Sequence, residues 1–446
     1  MIRRLRWLFC CLVALGAGLS LAAQTSPVAL TGTVVTPGDV IEQGTVLMQH
    51  GRILAVGADV KLPPGTRVIA TDDVIAPGLI DLHNHLTWNV FPRWKPTQEF
   101  GNRYDWQQKP VYNVLMTAPH KALVDEGLEC EMERYAEVKA ISEGETSVTG
   151  SMHGACVHGL ARNLDDDTEL TGQHGKIIYN VFPFQMTESE LTDAKTALNA
   201  TPRGALLIHV AEGAPHDAAA AREFLMLKGR GLLVPGVSVI HGVALKPADF
   251  AEMAKAGVGF VWSPRSNIEL YGDTANIAAA HAAGVKMALA PDWSPTGSDG
   301  LLGELNYASV WNQTQSPPPV TDRDLVMMAT ANAASLAGLS DEIGSLAAGH
   351  VADVIVVRKS GKDAYWILTH ATPQDLRLVL IGGEAMYGDR ATVEQWTVGH
   401  ADSVEVCHSP KTIVTEGRSF AATQTVLDQA LHQYGRELAP LAECGQ

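Results

Sequence analysis

Between Pro77 and Ala337 the chain alternates short apolar runs with stretches of helical periodicity, and this alternation restricts the fold more than any other feature. The runs are GETSVTGS, KIIYNVFPF, ALLIHVAEG, VSVIHGVAL, VGFVWSPRSN and VKMALAPDW. Between them, MERYAEVKAIS, HDAAAAREFLMLK, KPADFAEMAKAG and DTANIAAAHAAG carry apolar residues at helical spacing, and several end at a glycine suited to a left-handed cap. Strands and helices in turn imply a parallel sheet with crossover helices. This many units predict an α/β fold closed into a TIM (β/α)8 barrel, which takes about 250 residues. Residues 28–75 read differently, as VALTGTVVT, GTVLMQHGRILAVG and TRVIATDDVIAPG, short strands of an antiparallel module. After the barrel, IGSLAAGHVADVIVVRKS and LRLVLIGGEAMYG add further strands, so a small β-sandwich is expected to be split between the two ends. The expected division is a signal peptide at 1–23, the split sandwich at 24–76 and 338–410, the barrel at 77–337, and a helical extension at 411–446.

Arg3, Arg4 and Arg6 precede an apolar run from Trp7 to Ala23 that ends in small residues, the pattern of a secretory signal peptide. The alternative, a membrane anchor, would use a run at the short end for spanning a bilayer. The expected address is therefore the periplasm or the exterior, with no stable membrane anchor after cleavage. Formal net charge is −16, and losing the three arginines takes it to −19, which argues against nucleic acid as a partner. A small-molecule substrate is the expected partner, and a homo-oligomer is compatible with the sequence. Past the signal, Cys130, Cys156, Cys407 and Cys444 remain. Proximity pairs Cys130 with Cys156 and Cys407 with Cys444. Free buried thiols are the alternative, because a core of this size needs no staples.

The strongest local signal is Asp81-Leu82-His83-Asn84-His85, directly after the strand-like VIAPGLI. Residues two apart on a strand face one side, so both imidazoles can meet one ion. Alone, such a pair is as readily two exposed loop histidines. Three later residues change the balance: His209 ends ALLIH, His241 ends VSVIH and Asp292 ends VKMALAPD. In a barrel these strand ends gather on one face, and nitrogen and carboxylate ligands suit a divalent ion such as zinc.

The order HxH, His, His, Asp within a split β module and barrel resembles the amidohydrolase superfamily, over most of the mature chain. The resemblance is closest to the branch of mononuclear chlorohydrolases, deaminases and imidazolonepropionase, because Glu212 follows His209 in HVAE. SPRSN (Ser263 to Asn267), ATANAASLAGL (Ala329 to Leu339) and GSLAAGHVADVIVV (Gly344 to Val357) match as well. The resemblance implies one divalent ion, zinc by default, held by His83, His85, His209 and Asp292, with Glu212, His241 and Asp292 catalytic. Lys176 would lie at the wrong end of its strand to bridge two ions. Such an ion lowers the pKa of its water to roughly 7. Glu212 is then placed to move a proton to the departing or ring nitrogen, and His241 to polarise the electrophile or hold the oxyanion. A solvated loop carboxylate is the plainer alternative for Glu212.

Substrate is less legible. The segment from Trp88 to Trp106 is aromatic and cationic and borders the expected pocket; it could stack a ring or bind a carboxylate, or pack as a lid with its charges outward. Trp88, Arg103, Tyr104, His153 and Asn267 are the candidate substrate contacts, although His153 and His158 also read as ordinary loop histidines. The segment departs from the deaminase pattern after HxH, which counts against a nucleobase. The expected reaction is hydrolysis of a non-peptide carbon–nitrogen bond in a small molecule, by cyclic amide ring opening or deamination. The rivals are a binuclear dipeptidase-like or acyl-amino-acid hydrolase and, from another class, a non-catalytic periplasmic binding module on the same scaffold.

Overall fold

A computed structural model describes residues 26–151, 160–166, 170, 172–396, 401–415, 417 and 419–444. The predicted signal peptide lies outside them. No helix among the described residues is long and apolar enough to cross a membrane.

Eight short strands run through the middle of the chain: β5 (Leu79–Ile80), β6 (Glu145–Val148), β7 (Arg162–Asn163), β8 (Ile177–Asn180), β9 (Ala205–Val210), β10 (Val237–His241), β11 (Gly259–Trp262) and β12 (Met287–Leu289). They follow β1 (Val28–Val35), β2 (Val40–Gln49), β3 (Arg52–Gly57) and β4 (Arg67–Pro77). They precede β13 (Val354–Val357), β14 (Leu376–Ile381), β15 (Glu384–Gly388), β16 (Ala401–Val406) and β17 (Ser409–Val414).

The central strands pair only in parallel, β5-β6-β7 in one sheet and β12-β11-β10-β9-β8 in another. All of β9 is buried, as expected of a parallel strand covered on both faces. The crossover helices begin at the caps that the sequence provides. Thr187 and Glu190 close a reciprocal capping box ahead of Glu188–Leu198, and the Asp217 carboxylate accepts from Ala220 N–H at the start of Ala218–Gly229. Pro247–Ala256 ends at Gly257, whose φ of 69° a side chain would resist.

The two ends of the chain share one nine-stranded sheet, ordered β16-β17-β15-β14-β13-β4-β1-β2-β3. Its seam is β4 against β13, antiparallel, with Ile75 opposite Val356. One pair departs from the antiparallel expectation: β1 and β4 run parallel. The β2–β3 hairpin, turned at His50 and Gly51 with φ of 52° and 72°, occupies one edge of β1, so β4 enters on the other edge after a crossover.

The expected helical extension also needs correction, since residues 411–414 belong to β17 and the helix begins later, at Phe420–Gln433. Cys407 and Cys444 form a disulfide, whereas Cys130 has no disulfide partner among the described residues. Cys156, the expected partner of Cys130, lies outside the described residues.

Candidate active site

Each polar residue at the site sits at or just beyond the C-terminal end of a central strand. His83 and His85 follow β5. Asp81 shapes this turn, accepting from His83 N–H at 2.8 Å and from the Asn84 side chain at 2.6 Å. His209 lies in β9 opposite Ile240, and His241 closes β10. Asp292 follows β12 and is stitched to the first loop by the backbone: its N–H donates to His83 O and its carbonyl accepts from His85 N–H, each at 3.1 Å.

Ala211, His241 and Asp292 hold φ of 57°, 69° and 72°, a region that costs a non-glycine residue about 1 kcal/mol or more. Backbone bonds pin them there, among them Ala211 N–H to the Glu223 carboxylate at 2.8 Å and Gly242 N–H to Val210 O at 3.1 Å. Strain concentrated at these strand ends aims the side chains inward.

The rings converge. Centroids of His83 and His241 are 4.6 Å apart, of His83 and His209 4.7 Å, and of His209 and His241 4.8 Å. Asp292 Oδ1 lies 3.1 Å from His83 Nε2 and 3.3 Å from His85 Nε2. The outer nitrogens are already engaged: His83 Nδ1 with Ser263 Oγ at 2.8 Å, His241 Nδ1 with Asn267 Oδ1 at 2.8 Å, and His209 Nδ1 with Glu212 Oε2 at 3.2 Å. Such partners leave the other ring nitrogens free to face inward. Tyr179 Oη lies 3.2 Å from His209 Nε2.

Burial pushes His83 down to about 4, against the pull of Asp292, and pushes His209 down together with its imidazole neighbours. Burial alone would raise Asp292, but the close approach of His83 and His85 holds it well below the usual carboxylate range. His83 and His209 at neutral pH are therefore imidazole lone pairs near the ionised carboxylate of Asp292. These are the forms that ligate a divalent cation.

These residues fit such an ion by a direct observation. Among the described residues His83 Nε2 is buried and makes no hydrogen bond, although Asp292 Oδ1 lies 3.1 Å away. A buried lone pair of this kind needs a cation or a donor. The donor atoms of His83, His85 and His209, and those of His83, His241 and Asp292, lie within 4.8 Å of one another in each group.

Glu212 is buried at the inner edge of this cluster. Its Oε1 accepts from Tyr271 Oη at 2.7 Å, and Tyr271 Oη in turn accepts from Trp106 Nε1 at 2.9 Å. Its Oε2 faces His209, lies 3.6 Å from His241 Nε2 and is 3.5 Å from Arg103.

Above the cluster is a cavity of about 220 Å³ walled by Trp88, Trp106, Tyr112, Phe182 and Trp293, with Gln107 and Val181 between them. His85, His209, Glu212, His241 and Asp292 form its polar end.

The structure thus brings together His83, His85, His209, Glu212, His241 and Asp292, and puts Trp88 on the cavity wall. Three expected substrate contacts lie elsewhere. Arg103 is only 1% exposed, donating to Val181 O at 2.6 Å and pairing with Glu212 and Glu223, so it braces the site from behind. Tyr104 bonds Glu223 at 3.0 Å, and Asn267 bonds His241 and Thr274. Buried acids captured Arg103 and Tyr104, and His241 and Thr274 captured Asn267. His153 and His158 lie outside the described residues. Tyr271, Tyr179, Tyr112, Phe182 and Trp293 had no assigned role in the sequence. Only Trp293, adjacent to Asp292, carried a signal that could have found it.

The comparisons agree with this geometry. The model of the amidohydrolase family matches residues 208–386. A 5-methylthioadenosine/S-adenosylhomocysteine deaminase from Desulforudis audaxviator is 26% identical over 349 residues, covering 70% of this chain and 80% of its own. Among solved structures, a zinc-bound adenosine deaminase from Xanthomonas campestris superposes with a TM-score of 0.69 at 17% identity, covering 92% of this chain and 99% of that one. A zinc complex of atrazine chlorohydrolase from Arthrobacter aurescens superposes at 0.61 with 18% identity, over 80% of this chain and 95% of that one. The family model, the deaminase relatives and the converging histidines and aspartate together support the amidohydrolase superfamily, on its branch of deaminases and chlorohydrolases, and a metal-dependent hydrolysis of non-peptide carbon–nitrogen bonds in small molecules.

Proposed function

We propose that this enzyme deaminates a planar, uncharged amino-heterocycle, using one zinc ion held by His83, His85, His209 and Asp292. The observation that carries this reading is the cavity: five aromatic rings above a carboxylate and imidazole floor, with no lysine or arginine lining it among the described residues. A flat ring gains from stacking there, whereas the carboxylate of an acyl amino acid would find no cation, because Arg103 is sequestered. The relative from Desulforudis audaxviator adds 6-aminopurine nucleosides to the candidate substrates.

When bound, the ion supplies Lewis-acid polarisation and a water whose pKa falls to roughly 7. The remaining work belongs to the chain. Glu212, with Oε1 held by Tyr271, presents Oε2 to the polar end of the cavity. There it takes the proton released as water adds to the amino-bearing carbon and passes it to the ring nitrogen, and the remaining hydroxyl proton goes to the amino group as the C–N bond breaks and ammonia leaves. His241, fixed through Nδ1 by Asn267, turns Nε2 inward toward the oxygen on which charge develops. The aromatic wall keeps bulk water from the reacting carbon.

Strands β5 to β12 support a closed (β/α)8 barrel. The parallel bridge of Asn84 with Asp292 links the two chain segments that would meet at its seam. The shared nine-stranded sheet supports a split sandwich at its side. The N-terminal pattern supports export to the periplasm.

The test is ammonia release from a panel of aminopurines, aminopyrimidines and aminotriazines by the holoenzyme, beside cyclic amides and acyl amino acids. Glu212→Gln is expected to abolish turnover while sparing metal content and melting temperature. Hydrolysis of cyclic amides or acyl amino acids without any ammonia-releasing substrate would overturn the reading. No turnover of any compound would favour a binding module.

A further inference from the structure

A second cleft, of about 700 Å³, shares no lining residue with the catalytic cavity. Its volume falls within the roughly 300–1,000 Å³ of ordinary small-molecule pockets. We infer that it binds a small organic anion with an apolar or aromatic body.

Charge is the first argument. The chain carries a formal −16, so its surface as a whole repels anions. Yet Lys95, Lys109 and Arg436 line this cleft, and Glu437 is the single acid among its lining residues. Arg93 lines it too, but is neutralised by Glu269 and Glu443. Among the described residues, neither Lys95 nor Lys109 forms an ion pair, and Lys109 Nζ is held over the Phe100 ring at 6.0 Å. Arg436 Nε is buried and has no hydrogen-bond partner, a donor that an anionic oxygen would satisfy.

The body of the ligand follows from the other walls. Val111, 48% exposed, presents apolar surface beside the cations, with Leu115 and the edges of the buried Trp94 and Phe100 lining the cleft next to it. A bare inorganic ion would leave this surface uncovered, while an aromatic carboxylate or phosphate covers it and meets the charges. The cleft also stands back to back with the catalytic cavity. Trp94 lies 6.1 Å from Trp106 and 5.6 Å from Tyr112 between ring centroids, and both of those rings line the catalytic side.

Titration calorimetry of the full holoenzyme with benzoate, phenyl phosphate, inorganic phosphate and benzylamine tests the inference. Benzoate or phenyl phosphate is expected to bind with Kd of about 1 mM or tighter. Benzylamine, with the same ring and the opposite charge, is expected not to bind, and inorganic phosphate to bind more weakly than phenyl phosphate. Lys95→Ala with Lys109→Ala, both solvent-accessible and outside the catalytic machinery, should weaken the aromatic anions about tenfold. Lys95→Glu alone should weaken them as well, with the fold unchanged by circular dichroism. Affinity unchanged in these variants, equal affinity for benzylamine, or no binding by either aromatic anion would overturn it.

Discussion

Tyr271→Phe isolates how Glu212 is held. The substitution keeps the ring and deletes one oxygen, which donates to Glu212 Oε1 at 2.7 Å and accepts from Trp106 Nε1 at 2.9 Å. A hydrogen bond to a charged group contributes about 1.5–3 kcal/mol, and each 1.36 kcal/mol of barrier is tenfold in rate, so kcat should fall by roughly 10- to 150-fold. Trp106 Nε1 also loses its acceptor at a buried position, which adds about 1–3 kcal/mol of destabilisation. The assay is steady-state ammonia release on the best substrate of the panel, with metal content and urea unfolding measured on the same preparation. The expected pattern is a fall in kcat with full metal occupancy, because Tyr271 touches the carboxylate and not the imidazoles. A variant with wild-type kcat, or one that loses its metal in step with activity, would refute the claim that Tyr271 acts through Glu212.

Two further outcomes follow from groups away from the chemistry. Burial and Asp299 push the Glu143 carboxyl up to about 8, despite the Gly303 N–H and Lys139, from an unfolded value of 4.5. A raised carboxyl stabilises the fold fully below the unfolded value and loses that contribution as pH rises from 4.5 to about 8. Glu143→Gln should therefore flatten this loss, gaining on the order of 3–5 kcal/mol over wild type at pH 9 relative to pH 5 in urea unfolding; an identical pH slope in both proteins would exclude it. The disulfide between Cys407 and Cys444 spans 37 residues, and closing a loop of that size restrains the unfolded chain by about 4 kcal/mol. Glu443, beside it, pairs with Arg93 at 3.2 Å and with Arg265 at 2.6 Å. Cys444→Ser should lower the melting temperature and remove its sensitivity to dithiothreitol; a variant still sensitive to reductant would place the effect elsewhere.

What the sequence disclosed and what it withheld divide along a physical line. His83, His85, His209, His241 and Asp292 were legible because each ends an apolar run, and a parallel strand's end is marked by composition alone. Arg103 was misread because its partners, Glu212 and Glu223, lie more than a hundred residues away, and nothing local shows that a cation will be buried between them. Tyr271, the last residue of the helix Pro264–Tyr271, reaches Glu212 only once β9 and β11 flank β10 in one sheet. The β16–β17 hairpin escaped notice because Cys407 and His408 take φ of 49° and 60° at its turn, where Asn-Gly or Asp-Gly would have announced it. There the disulfide ties down a turn that the local sequence does not favour.

Elemental analysis of the purified protein, run beside His83→Ala and Asp292→Asn, bears most directly on the convergence of these side chains around one cation. One equivalent of a divalent metal is expected in the wild-type chain, with loss of that metal and of turnover in both variants while helix content is retained. Full activity in metal-free protein, or undiminished metal in both variants, would contradict it.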